Sequence, residues 1–249
     1  MDRRTLSALA HAHHPVAAPL SDESVRRLLD RAVVNGDERA LDLGCGEAQW
    51  LLRALERHPR MLAEGVDIDV ATLDRVRDLA ERRGVADRLA LHHMPAAEFT
   101  SARSFDVVLC VGSTHAYGGL LPTLGAVREH LAPGGRVLVG DAFWERVPDR
   151  AALDELGAEP ADWDDLAGTV DRVAAAGWTP VYAHTSTAGE WDDYEWSWTG
   201  SLAQWALDHP EHPDAGQALK TAEEHRTGWL RGYRGTLGFV TLLLRRTEG

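Results

Sequence analysis

Ala40-Leu41-Asp42-Leu43-Gly44-Cys45-Gly46-Glu47-Ala48-Gln49-Trp50 decides the reading of this chain, together with Gly65-Val66-Asp67-Ile68-Asp69 about twenty residues further on. The first stretch reads as a short apolar strand that breaks into a glycine turn and then a helix. The second reads as another strand, ending in a carboxylate. Such a pair describes a nucleoside cradle: glycines let the backbone approach a ligand closely, and an acid at the end of the next strand meets a ribose hydroxyl pair. The dinucleotide fingerprint Gly-x-Gly-x-x-Gly is not met, because its third glycine falls on Gln49. The carboxylates of Asp42 and Glu47 flank the turn and are poor company for a pyrophosphate at a helix N-terminus. They suit a ligand that carries positive charge.

Working outward, Ser21 or Asp22 caps a helix whose apolar face is Val25, Leu28, Leu29, Ala32 and Val33. A strand is expected at 39–43, a helix at 47–57, a strand at 62–67, and a helix at 70–83 closed by Gly84. A short strand follows at 88–93. The uninterrupted run Phe105–Val111 suits a central strand covered on both faces. A helix at 120–131, the turn Ala132-Pro133-Gly134-Gly135 and a strand at 136–140 complete the alternation. Strands alternating with helices imply a parallel, doubly wound sheet. Beyond it come a helix at 162–176, a strand at 178–186, a tryptophan-rich helical stretch at 190–208, a helix at 214–234 and a closing strand at 236–244.

Over residues 37–145 the chain resembles the class I S-adenosylmethionine-dependent methyltransferases, of the bacterial type that acts on small molecules. The likeness rests on Asp42-Leu43-Gly44-Cys45-Gly46, on Asp67, on the Phe105-Asp106-Val107-Val108 entry to the fourth strand, and on Pro133-Gly134-Gly135. It implies an α/β, Rossmann-like, doubly wound seven-stranded sheet with an antiparallel last strand and a helical cap. The implied organisation is an arm or lid at 1–20, a methyltransferase domain at 21–186 and 235–249, and a helical insertion at 187–234 that caps the substrate. S-adenosyl-L-methionine is the implied cofactor. Gly44 and Gly46 then face its methionine end, Asp42 holds the amino group, Asp67 takes both ribose hydroxyls, and Ile68 lies against adenine. Pro95 stands where the family has an acid for the adenine amino group, so the amide of Ala96 is the substitute, and Val111 completes the set. Ala48 replaces the family's third glycine.

The acceptor side begins where the fourth strand ends, at Ser113-Thr114-His115-Ala116-Tyr117, because ligands bind outside the carboxyl ends of parallel strands. His115 is either a base near neutral pH or a loop anchor, and Tyr117 orients a polar atom. These two are the candidate catalytic residues. The candidates for substrate contact are His14, Ser113, Trp144 and Tyr194. Trp144 reads as a pocket wall or as core packing. Trp191, Tyr194, Trp198 and Trp205 recur at near-helical spacing, which reads as packing against the main domain or as an oligomer interface. The arm is rich in histidine and proline and lacks core-forming periodicity.

Composition bounds the rest. A chain of 249 residues, 44% hydrophobic and 26% charged, fits one large soluble domain or one domain with an insertion. No apolar run has membrane-spanning length, and the N-terminus has two arginines without the apolar core of a signal peptide, so a cytoplasmic location is expected. The two cysteines, Cys45 and Cys110, exclude a disulfide scaffold. His11, His13 and His14 lack the spacing of a helical metal pair, and no metal is expected. A net charge of −13 without a basic stripe argues against a nucleic-acid partner. The expected partner is a small-molecule substrate, and a homodimer remains open. The competing functions are a nicotinamide- or flavin-dependent oxidoreductase and a non-catalytic nucleoside-binding protein.

Overall fold

The computed structural model describes residues 3–247. The first two residues of the expected arm and the last two of the closing segment lie outside the described residues. Seven strands form one sheet: β1 (Arg39–Leu43), β2 (Leu62–Asp67), β3 (Leu89–His93), β4 (Phe105–Val111), β5 (Leu131–Trp144), β6 (Trp178–Thr185) and β7 (Leu237–Arg246). Their order is β3-β2-β1-β4-β5-β7-β6. The pairs β1–β2, β1–β4, β2–β3 and β4–β5 are parallel, and β6 and β7 are antiparallel, as the family resemblance implies. Strand order reverses between β1 and β4, which opens a crevice at their carboxyl ends.

The apolar runs explain why these strands are central. Val107, Val108, Leu109 and Cys110 of β4 and Ala40, Leu41 and Leu43 of β1 are all buried. The connecting helices carry their own start signals. Ser21 caps α2 (Asp22–Ala32) by accepting from the Ser24 amide, after α1 (Arg3–Ala10). α3 (Gln49–Arg57) follows the glycine turn, and Asp69 caps α4 (Val70–Arg82) by accepting from the amides of Ala71 and Thr72. α5 (Leu120–His130) leads into β5. There the expected turn at 132–135 is absorbed into the strand as an irregularity: Phe105 pairs with Leu131 and Val107 with Arg136. The strand also runs on to Trp144, beyond the expected end at 140.

The chain packs as two compact units. The sheet unit comprises Ser21–Asp141, Ala167–Thr185 and Val240–Gly249, and includes α7 (Leu166–Ala175) apart from its first residue. The helical unit comprises Met1–Leu20, Ala142–Leu166 and Ser186–Phe239. In the latter, α6 (Arg150–Leu156), capped by Asp149, was not foreseen. α8 (Ala188–Asp208) starts with a reciprocal Thr187–Glu190 capping box, and α9 (Ala215–Gly228) runs into a π-helical turn, Trp229–Tyr233.

Two expectations about this unit are corrected. The arm does have helical periodicity: Leu6, Leu9 and Ala10 of α1 pack on Leu202 and Ala222. The aromatic stripe packs inside its own unit, with Trp198 joining that cluster, Trp191 lying on Ala152, Trp229 and Tyr233, and Trp205 on Ala206, Ala215 and Ala218. Among the described residues no helix is long and apolar enough to cross a membrane.

Candidate functional site

The turn after β1 is built for close approach. Gly44 and Gly46 sit at positive φ, +82° and +49°, where side chains are strained. Gly44 and Cys45 donate their amides to the Val66 carbonyl at 2.9 and 3.0 Å, which ties the turn to the end of β2. A Cβ on Gly44 would lie 2.5 Å from the Cβ of Ser113, so glycine is required there. A Cβ on Gly46 would meet nothing within 4 Å, so the backbone at Gly46 faces open space. Ala48 adopts φ 49°, a left-handed conformation that the family's glycine takes without strain.

Two carboxylates face this turn from the strand ends. Asp42 is 3% exposed, and its Oδ2 has no hydrogen-bond partner among the described residues. Burial, with Asp67 nearby, pushes its carboxyl up to about 7. Asp67 accepts from the Gly46 amide through Oδ2 and from the Asp69 amide through Oδ1, each at 2.9 Å. One amide on each oxygen leaves lone pairs for two further donors. An orphaned buried carboxylate oxygen beside a second acid is costly without a cation. The arrangement therefore fits a ligand that presents an ammonium group to Asp42 and a hydroxyl pair to Asp67. Glu47, expected to add negative charge for the ligand, is instead paired with Arg75 at 2.8 Å.

Other candidates fall around this turn in different ways. Ser113, expected to face the acceptor, is buried beneath Gly44 and donates to the Leu43 carbonyl at 2.7 Å. Tyr117, expected to orient a reacting atom, donates to the Ala96 carbonyl at 2.8 Å, and burial pushes its phenol up. These bonds join the β3 and β4 ends to the cradle. Ile68 is 60% exposed just past Asp67, and Val111 is half-buried at the end of β4. His115 is exposed on the short 3-10 turn Thr114–Tyr117. Cys45 and Cys110 are buried, which raises both thiols above their ordinary value. They are inert rather than nucleophilic.

The remaining candidates lie in the helical unit. Trp144, expected as a pocket wall, is 6% exposed; its indole N–H donates to the Pro160 carbonyl at 3.0 Å, and its ring packs edge-on against Trp163. His14 is buried, with its ring edge-on to Tyr194 at 5.2 Å. Two partnerships were not foreseen: in the sheet unit the Thr114 hydroxyl donates to Asp141 at 3.0 Å, and in the helical unit Glu195 is buried. Glu195 accepts from Tyr233 at 2.7 Å and lies 2.7 Å from His225. Among the described residues no group of three or more potential ligands is placed to hold a metal ion.

Comparison with known proteins agrees with this geometry. Residues 40–135 match a family described as a methyltransferase domain. The chain is 25% identical over 216 residues to the uncharacterised protein YjhP of Escherichia coli (strain K12), covering 85% of this chain and 86% of that one. It is 28% identical over 151 residues to the 27-O-demethylrifamycin SV methyltransferase of Amycolatopsis mediterranei, spanning 59% of this chain and 54% of that enzyme. In three dimensions it is similar to a SAM-dependent methyltransferase of Geobacter sulfurreducens, solved in complex with S-adenosyl-L-homocysteine. That match has a TM-score of 0.89 at 23% identity, covering 97% of this chain and 98% of that one.

Proposed function

We propose that this chain is a class I S-adenosylmethionine-dependent methyltransferase that methylates a small-molecule acceptor, mainly by alignment and exclusion of water. The observation that carries this reading is the orphaned Asp42 carboxylate beside the Gly44–Gly46 turn and Asp67. S-adenosyl-L-methionine supplies a methyl already activated on a sulfonium. Asp42 holds the amino group of that cofactor, and the Gly44 and Gly46 backbone lies along its methionine end. Asp67 accepts from the ribose hydroxyls while keeping the Gly46 amide. Ile68 and Val111 provide apolar surface for the base, and the Ala96 amide reads its edge.

Alignment of a nucleophile with a methyl group is worth roughly 7–11 kcal/mol of barrier, so a strong base is needed only when the acceptor arrives protonated. His115 then takes the proton, being the residue of the β4 turn whose exposed imidazole offers a nitrogen lone pair to accept it. Ser113 and Tyr117 act as positioning residues through Leu43 and Ala96. His14 and Tyr194 contact the acceptor, and the arm with the insertion at 187–234 sets its specificity.

The test is turnover on a panel of small metabolites, read as release of S-adenosylhomocysteine. Wild type should release it with at least one acceptor and Asp67→Ala should not. Cofactor binding without turnover on any member would favour the non-catalytic reading, and binding of NAD in its place would favour an oxidoreductase.

A further inference from the structure

His92 and His93 end β3, and as strand neighbours they point to opposite faces of the sheet. His92 lies 2.9 Å from Glu64 and packs on the Phe99 ring. His93 is the register partner of Asp67 and shares its face. Its Nε2 lies 3.1 Å from the Ile68 carbonyl, and a carbonyl only accepts. Nε2 therefore carries the hydrogen, and in the neutral ring Nδ1 keeps a bare lone pair. The ring is exposed, and among the described residues it makes no other hydrogen bond.

This lone pair stands beside the surface assigned to the base of the cofactor. The Met94 amide donates to the Asp67 carbonyl at 3.1 Å, so the end of β3 is tied to both Asp67 and Ile68. Ile68 itself is 60% exposed and open to a ligand. The turn that follows, Ala96–Glu98, is held by the Tyr117 hydroxyl on the Ala96 carbonyl at 2.8 Å. Pro95, just before it, has no side-chain acceptor for an amine. Two acids lie near in sequence. Asp69 is engaged in capping α4, where it accepts from the amides of Ala71 and Thr72 and from the Thr72 hydroxyl. Glu98 is exposed at the end of the Ala96–Glu98 turn and is the rival acceptor.

We infer that His93 is a specificity-determining residue of the nucleoside site: its Nδ1 accepts a hydrogen from the exocyclic amine of a 6-aminopurine, in place of the acid that Pro95 has displaced. The assignment rests on the methyltransferase reading, in which that purine is the adenine of the cofactor. A purine with only hydrogen at that position has no N–H to offer and leaves Nδ1 without a partner. A purine with a carbonyl oxygen there sets two lone pairs against each other. The same ring, through Nε2, holds the Ile68 backbone that carries the apolar wall, so one side chain serves both the edge and the face of the base.

The experiment is calorimetric titration of the full chain with S-adenosylhomocysteine and with its 6-deamino analogue, in which hydrogen replaces the exocyclic amine and the ribose and amino-acid parts are unchanged. Wild type should bind S-adenosylhomocysteine about tenfold more tightly than the analogue, the usual effect of one hydrogen bond. His93→Phe keeps an aromatic ring and removes both nitrogens. It should bind the two compounds alike, with its affinity for the analogue unchanged from wild type. Glu98→Ala should retain the wild-type preference. Equal binding of the two compounds by wild type, a preference that survives in His93→Phe, equal weakening of both in that variant, or loss of the preference in Glu98→Ala overturns the assignment. Failure of wild type to bind either compound would overturn the methyltransferase reading with it, whereas S-adenosylhomocysteine bound without discrimination overturns the assignment of His93 alone.

Discussion

Replacing Asp42 with asparagine should have opposite effects on binding and on stability. In the ligand-free protein the buried carboxyl titrates at about 7 instead of 3.8, first because burial disfavours its charge and then because Asp67 is near. A cofactor ammonium favours the ionised form, so below pH 7 binding must expel a proton. Affinity of the wild type should therefore fall about tenfold between pH 8 and pH 6. Asparagine does not titrate, so its affinity should be flat over that window. At pH 8 it should be weaker by about 1.5–3 kcal/mol, the worth of a hydrogen bond to a charged group, or about 10- to 150-fold. Stability runs the other way. A folded-state value raised above the unfolded one contributes stability that is complete below about 3.8 and lost as the pH rises through about 7. At 1.36 kcal/mol per pH unit, the wild type forfeits up to about 4 kcal/mol by pH 8, and the asparagine variant forfeits none of it. Ligand-free Asp42→Asn should thus melt higher than wild type at pH 8 while binding cofactor more weakly. Titration calorimetry at pH 6, 7 and 8, with thermal denaturation of the ligand-free proteins, measures both. A pH-independent wild-type affinity together with a less stable variant would refute the reasoning.

Gly44→Ala should lose both fold stability and cofactor binding, because its Cβ would collide with Ser113, whereas Gly46→Ala, with nothing within 4 Å of its Cβ, should cost only the strain of its left-handed backbone, about 1–2 kcal/mol, and lose mainly binding; thermal denaturation and calorimetry compare them. Glu38 is 3% exposed, and burial would raise its carboxyl, but amides at 34–37 donate to it at 2.6–3.1 Å and hold it below its ordinary value. Its contribution is present above about pH 4.5 and lost on acidification, so Glu38→Gln should be less stable than wild type at pH 7, by about 1–3 kcal/mol, with the gap closing in acid, as read by urea denaturation. Tyr233→Phe removes a 2.7 Å bond to the buried Glu195 and should cost about 1.5–3 kcal/mol by the same assay. If His115 is the base, His115→Asn should lower turnover by about 10²–10⁴-fold and remove the acid limb of the pH–rate profile; an unchanged limb returns it to a loop role.

The parts of the molecule legible in the sequence are those set by neighbours along the chain. Strand β4 is a continuous apolar run, the cradle needs glycine at 44 and 46, and Asp67 ends its strand at a fixed distance from them. What was illegible depends on partners far away in sequence. Glu47 pairs with Arg75, and the Ser113 hydroxyl goes to Leu43, so neither side chain serves the role its position suggested. Trp144 lies past a strand end, yet the Pro160 carbonyl takes its N–H. Helix α1 was overlooked because histidines and prolines following Ala10 obscured Leu6, Leu9 and Ala10, and α6 because it is only seven residues long. The Glu195–His225–Tyr233 network draws on α8, α9 and the π-helical turn, a juxtaposition no local spacing announces.

The central claim is that the β1 turn and Asp67 bind the methionine and nucleoside parts of S-adenosylmethionine. Its most direct test is titration of the full wild-type chain at pH 8 with S-adenosylmethionine, S-adenosylhomocysteine and NAD in turn. The account predicts saturable, one-to-one binding of the first two and none of the third; binding of NAD with no affinity for either adenosyl compound would contradict it.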